Sequence, residues 1–379
     1  MTLVSPSPPL VASKSKLEYI DALRGIAILM VIAVHALHLA GSTTAFLPGP
    51  VVAVLTNGAW GVRLFFVASA YTLFRSLHHR RQTERNELLN FYLRRFFRIA
   101  PLYYCGMLLY GAWFTYAAGQ HCSWRSLGAE AIFLQGLNPY WISSLVPGGW
   151  SITVEMCFYL LVPFVARRVT SLNRAVVFLL GTVVLHALLS YGLRHHPLIA
   201  ETDVWNTYLA WFLPRQLPIF ALGFVFYFLS QADLRLRAHT LLAAALIVLA
   251  AFALDERLGL VPTAFALLPA DLGFGVGFVL LALALSRKPF GFFVNPFTRA
   301  IGQVSFGLYV VHFFVLFALN KCGWGDLLSP TGVGSALENY ALRYALVLAL
   351  SYALSYLLHR LVEVPMQQVG KQVIARLEK

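Results

Sequence analysis

The chain has 379 residues, of which 59% are hydrophobic and only 12% charged, and its mean hydropathy is +0.70. Soluble domains carry about 25% charged residues, and an ionised side chain near a bilayer centre costs roughly 3 kcal/mol or more, so this composition argues against a soluble globular domain. The net charge of +13 does not indicate nucleic acid, because the basic residues form short clusters between apolar runs instead of one basic face.

The expected fold is all-α and integral to a membrane. Residues 1–16, rich in Ser and Pro and without a cleavable signal peptide, read as a disordered cytoplasmic tail. Apolar runs near the ~20-residue length that spans hydrocarbon lie at about 18–40, 58–77, 96–118, 148–166, 175–193, 208–229, 239–254, 264–285, 302–320 and 340–361. They predict about ten transmembrane helices in one domain over 17–366, with no attached soluble domain and a cytoplasmic C-terminal tail at 367–379. The stretch from Leu127 to Leu137 is too short to span and reads as interfacial or re-entrant.

The loops support this topology independently. With the N-terminus inside, the inner segments hold 21 of the 29 basic residues, as the positive-inside rule requires of ten spans. Outer loops hold only Arg125, Arg194, Arg257, Lys321 and Arg343. Four cysteines, none in a metal-spaced pair, predict neither a disulfide framework nor a metal site. Cys105 and Cys157 read as packing residues, and Cys122 and Cys322 share the outer side, where a bond between them is an open alternative.

Ionisable residues inside spans are costly and mark function. Arg24 and His35 in the first run are eleven residues apart, so they point to nearly one side, roughly 16 Å apart along the axis. A snorkelling Arg24 paired with Asp21, and a His35 that bridges helices, fit the spacing equally well. In the fourth run Glu155 lies at a depth similar to that of His35, with Ser151 one turn above it. The two depths suit a hydrogen-bonded acid/base pair; a structural contact of Glu155 with a histidine or tyrosine is the plainer reading.

In the ninth run Ser305, Tyr309 and His312 follow i, i+4, i+7 and line one stripe. Such a stripe serves either as helix–helix glue or as a substrate contact. At the inner face Arg94, Arg95 and Arg98, interleaved with aromatic residues, form a cluster whose guanidinium forks suit phosphate and equally suit anionic lipid.

Six segments in order resemble the acyltransferase-3 family of integral membrane acyltransferases, which act on O-antigen, exopolysaccharide and antibiotic hydroxyls. They are Asp21-Ala-Leu-Arg24-Gly through His35; Leu64-Phe-Phe-Val-Ala-Ser69; Arg94-Arg95-Phe-Phe-Arg98-Ile-Ala-Pro101; Trp150-Ser151 through Glu155, Phe158 and Tyr159; Ser305-Phe-Gly-Leu-Tyr309-Val-Val-His312; and Glu363-Val-Pro365. One departure is Ala70, where the family usually places Gly after the serine.

The resemblance implies an O-acyltransferase of the bacterial inner membrane that moves an acyl group, commonly acetyl from acetyl-CoA, to a carbohydrate or glycolipid hydroxyl. It maps the family's arginine and histidine onto Arg24 and His35 and its basic motif onto Arg94, Arg95 and Arg98; joined to the reading of depths, it gives the expectation of His35 as catalytic base assisted by Glu155, with the four arginines as donor site. Ser69, Ser151, Tyr159, Ser305, Tyr309 and His312 are its candidates for substrate or oxyanion contacts. The competing class is a proton-coupled transporter of a small polar solute, since intramembrane Arg, His and Glu also mark proton pathways.

Overall fold

In hydrocarbon every backbone polar group must be satisfied within the chain, which leaves helices as the economical solution for so apolar a sequence. The computed structural model describes residues 18–39, 41, 43–80, 84–117, 119, 123–233, 235–258 and 270–379, and among these it contains helices and no strand. The expected tail at 1–16 and Cys122, with its bond to Cys322, lie outside the described residues. Cys105 and Cys157 are half-buried free thiols, and Cys322 is exposed.

The helices run α1 Glu18–His38, α2 Thr43–Phe46, α3 Gly49–Thr56, α4 Gly61–Arg80, α5 Glu87–Ala117, α6 Trp124–Ala131, α7 Gly149–Arg168 and α8 Leu172–His195. They continue with α9 Thr202–Trp211, α10 Leu213–Gln231, α11 Ala238–Leu258, α12 Ala270–Arg287, α13 Pro296–Gln303, α14 Ser305–Lys321, α15 Val333–Leu358 and α16 Val364–Leu377. Among the described residues six helical stretches are long and apolar enough to cross a membrane, and a seventh arises if α13 and α14, bent by 79°, count as one. The other three expected runs also fall on helices. One is α5, whose apolar part is diluted by Tyr103, Tyr104, Tyr110 and Tyr116; the others, α11 and α12, flank residues 259–269 outside the description.

Helix α1 is the hub. It packs on α4, α13, α14 and α15, and its residues Ala22, Leu23, Ala27, Ile28, Val31 and Ile32 are almost completely buried. Helix α4 packs on α1, on α7 and on α10, so it stands between the first helix and the seventh. Helix α8 is peripheral: Val177, Leu180, Val184 and Leu188 are exposed, as expected of a surface that faces hydrocarbon.

Small residues set the tight crossings, as is usual where lipid supplies no hydrophobic drive between helices. A Cβ on Gly25 would lie 2.0 Å from the Thr298 carbonyl oxygen, and one on Gly302 would lie 1.8 Å from that of Asp21. This close seat fixes α13 across α1. The capping box of Asn295 and Thr298 starts α13, and the chain turns through 79° before α14 begins at Ser305. The break falls at the start of the ninth run: Gly302 and Gln303 end α13, and residues 305–320 lie on α14. At the departure from the family pattern, the Ala70 methyl faces Gly223 of α10, where a second methyl would come within 2.5 Å.

Buried charges take partners of two kinds, opposite charges and backbone groups. Asp271, fully buried at the start of α12, bonds Arg63 Nη2 at 3.0 Å and Arg215 Nε at 2.6 Å, which ties α4, α10 and α12 together. Arg343, expected in an outer loop, is fully buried in α15. Its guanidinium donates to the carbonyls of Ala36 at 3.2 Å and Leu39 at 2.6 Å at the end of α1, and to the Gly325 carbonyl. A cation there satisfies orphan carbonyls and complements the helix dipole.

The segment 367–379, expected only as a tail, is mostly the helix α16 and docks on α5. The Glu378 carboxylate accepts from the backbone N–H groups of Arg85 at 2.9 Å and Asn86 at 3.0 Å and from Asn90 Nδ2 at 2.6 Å. These bonds, led by that of Arg85, hold its pKa below the ordinary carboxylate value. The start of the helix that carries the arginine cluster is thus pinned by the last helix of the chain.

Candidate active site

Helices α1, α4, α5, α7 and α14 surround a cavity that encloses about 680 Å³ of non-atom space, its open mouth included. That is within the size range of small-molecule sites. Helix α7 supplies Ser151, Glu155 and Tyr159, which recur every four residues and so descend one wall over roughly 12 Å. Helix α4 adds Phe65, Phe66, Ser69 and Thr72, and α14 adds Ser305, Phe306 and Tyr309. Arg24 of α1 and Arg95 and Arg98 of α5 line the cavity as well.

Its charge is unbalanced. Three guanidiniums face the cavity against Glu155, with Asp21 at 3.9 Å from Arg24. Arg24 Nη2 also donates to Thr72 Oγ1 at 3.3 Å. Among the described residues neither Arg95 nor Arg98 has a carboxylate partner within ion-pair distance, and the buried Nε of Arg95 has no hydrogen-bond acceptor. The Arg95 guanidinium instead lies 5.7 Å from the Phe91 ring and 5.9 Å from that of Tyr159. A half-buried donor fork without an anion is costly and is suited to receive one from outside the chain.

Arg94 is placed differently. Its two terminal nitrogens grip Glu84 at 2.8 and 2.9 Å, and it is absent from the cavity wall. Burial pushes the Glu84 carboxyl up, but the bonds from Arg94 and Arg80 outweigh it and hold the pKa below its usual value. On the helical wheel Arg98 lies between its neighbours, about 60° from Arg95 and about 40° from Arg94; Arg95 turns with it to the cavity, while Arg94 is drawn away by Glu84.

Glu155 and His35 do not pair. The Glu155 carboxylate accepts from Ser69 Oγ and, at 2.6 Å, from Tyr159 Oη. The reason is the placement of α4 between α1 and α7, which brings Ser69 and not His35 to the carboxylate. His35 Nδ1 lies instead 3.1 Å from His312 Nε2, with the Phe313 ring 4.2 Å away. His312 is fully buried, and its Nδ1 lies 3.0 Å from the Leu308 carbonyl oxygen. His35 itself is half-buried and does not line the cavity.

Tyr309 touches both regions. It lines the cavity, and its ring centroid is 5.9 Å from that of His312. Its hydroxyl meets Ser151 Oγ at 2.8 Å and the Gly148 carbonyl at 3.1 Å. The stripe of Ser305, Tyr309 and His312 therefore faces the interior as its period predicts: Ser305 and Tyr309 reach the cavity, and His312 reaches His35.

Sequence reasoning missed the residue that shapes the loop above this wall. Glu130 is fully buried and accepts from Tyr103 Oη at 2.8 Å and from the N–H groups of Leu145 at 2.7 Å and Val146 at 3.0 Å. It thereby fixes the approach to Gly148, which has φ +80° and precedes α7. Its signal was available, since a carboxylate inside the apolar stretch from Leu127 to Leu137 has to be compensated. Among the described residues no group of three His, Cys, Asp or Glu side chains is placed to hold a metal ion.

Searches of curated proteins and of solved structures return no match to this chain. The family model described as an acyltransferase domain, that of acyltransferase-3, matches residues 17–360. The match extends from before Arg24 to beyond His312 and takes in every residue of the cavity wall. The chain belongs to the acyltransferase-3 family.

Proposed function

We propose that this protein is an O-acyltransferase of the plasma (bacterial inner) membrane that moves an acyl group, acetyl from acetyl-CoA, to a hydroxyl of a carbohydrate or glycoconjugate. The topology in this reading has ten spans with both termini cytoplasmic, supported by the alternation of basic residues between loops. The observation that carries the reading is the cavity: two arginines that have no carboxylate partner among the described residues, beside a column of hydroxyl groups. A coenzyme A donor supplies both complements, phosphates for Arg95 and Arg98 and a slender polar arm for the column of Ser151, Glu155 and Tyr159.

In this reaction the thioester carbonyl comes to Tyr309, at the end of the cavity nearest the histidine pair. His35 Nε2 takes the proton of the acceptor hydroxyl as its oxygen attacks the carbonyl carbon. The tetrahedral species expels the thiolate, which recovers that proton from His35 and leaves as free CoA. Ser151 and Tyr309 are the hydroxyls placed to meet the developing oxyanion. Glu155 acts through the donor cavity, where it orients Tyr159 and Ser69 and offsets the repulsion among the guanidiniums.

The test is incubation of the purified protein with radiolabelled acetyl-CoA and a preparation of cell-surface glycan. Label on the glycan with release of free CoA is the expected result. Solute uptake into proteoliposomes with no acyl transfer would instead identify a transporter and overturn the reading.

A further inference from the structure

The contact between His35 and His312 has a direction that the geometry fixes. The Leu308 carbonyl oxygen can only accept, so His312 Nδ1, 3.0 Å away, carries a proton. A neutral imidazole has one N–H, which leaves His312 Nε2 with its lone pair. That lone pair faces His35 Nδ1 at 3.1 Å, so His35 donates from Nδ1 and its Nε2 is left unprotonated. His312 has no exposure to solvent, and its ring lies 5.2 Å from the His35 ring at an interplanar angle of 25°. Phe313 flanks both rings, at 4.2 and 4.4 Å. The buried His312 is therefore not free to exchange its partner for water.

We infer that His312 is the positioning residue of this enzyme: by accepting from His35 Nδ1 it holds His35 in the tautomer whose Nε2 is the base. This rests on the reading of His35 as that base and assigns to His312 the orienting part that a carboxylate plays in other histidine-based sites. In water a neutral histidine favours the opposite tautomer, with the proton on Nε2, so the acceptor on α14 changes which nitrogen is basic. The i−4 carbonyl of α14 is the anchor, because it sets the His312 tautomer from which that of His35 follows. During transfer His35 carries a proton on both nitrogens, and His312 Nε2 continues to accept from Nδ1. The proton gained on Nε2 passes to the leaving thiolate, and the pair returns to its starting state.

Two measurements test this. In 15N-histidine spectra of the full-length protein in lipid nanodiscs, with His35 assigned by loss of its signal in His35→Gln, His35 is expected to show an unprotonated Nε2 and a protonated Nδ1; a protonated Nε2 would overturn the inference. Kinetically, His312→Leu should lower kcat about 100-fold with an unchanged KM for the acyl donor. His312→Gln, whose Oε1 accepts in place of Nε2, should stay within about tenfold of wild type. A His312→Leu enzyme with wild-type kcat, or a His312→Gln enzyme as impaired as His312→Leu, would overturn it as well. Should His35→Ala keep full activity, the base assignment itself fails, which is a different result from a dispensable His312.

Discussion

Replacement of His35 by alanine should lower kcat for acyl transfer by about 10³-fold while the protein still inserts and binds its donor. General-base catalysis by a positioned side chain is worth about 10²–10⁴ in rate, and an uncatalysed alcohol is a poor nucleophile towards a thioester at neutral pH. The fold does not depend on this side chain to a similar degree. His35 is half-buried, and its contacts are His312 and Phe313, while the hub face of α1 is made by Leu23, Ala27, Ile28 and Val31. The donor cavity lies beyond Tyr309, so affinity for CoA should be unchanged. The measurement is a steady-state comparison of kcat and KM with donor binding as a control; a variant with near-full kcat would remove His35 from the chemistry.

Gly302→Ala should disrupt the site by another route, through the backbone. Its Cβ would fall 1.8 Å from the Asp21 carbonyl oxygen and 2.6 Å from the carbonyl carbon, and a Cβ on Gly25 would strike the Thr298 carbonyl at 2.0 Å. Both obstacles are main chain, so no rotamer change relieves them, and α1 must separate from α13. Overpacking of this kind costs about 1–3 kcal/mol, and more when backbone must move. The separation would also displace Arg24, the neighbour of Gly25, from Thr72 and the cavity. The expected result is a fall in Tm of several degrees, with a raised KM for the acyl donor; wild-type values of both would contradict the packing described.

Much of this arrangement was legible in the sequence because it depends on period and composition. The stripe of Ser305, Tyr309 and His312 and the shared face of Arg95 and Arg98 follow from helical geometry alone, and all but His312 meet at one cavity. What periodicity does not give is which helix stands next to which. Equal depth suggested a bond between His35 and Glu155, but α4 lies between their helices, and each residue found a nearer partner in Ser69 or His312. Arg94 looked equivalent to its neighbours until Glu84, from the loop before α5, claimed it. The 79° break before Ser305 lies at the very start of the apolar run, where hydropathy marks the beginning of a span but not the angle at which it is entered. Glu130 and Asp271 were passed over in the sequence, where each is a single charge in apolar surroundings; their partners come from other segments.

The claim on which the account turns is that the unpartnered arginines receive the phosphates of the acyl donor. Calorimetric titration of CoA into the purified protein tests it most directly, with Arg95→Ala, Arg98→Ala and Arg94→Ala compared at one salt concentration. Hydrogen bonds to a charged group are worth about 1.5–3 kcal/mol, so loss of Arg95 or Arg98 should each weaken CoA about tenfold or more. Arg94→Ala should change it by less than about threefold, because that side chain is engaged by Glu84 outside the cavity. Equal weakening by all three substitutions, or undiminished CoA binding without Arg95 and Arg98, would contradict the account.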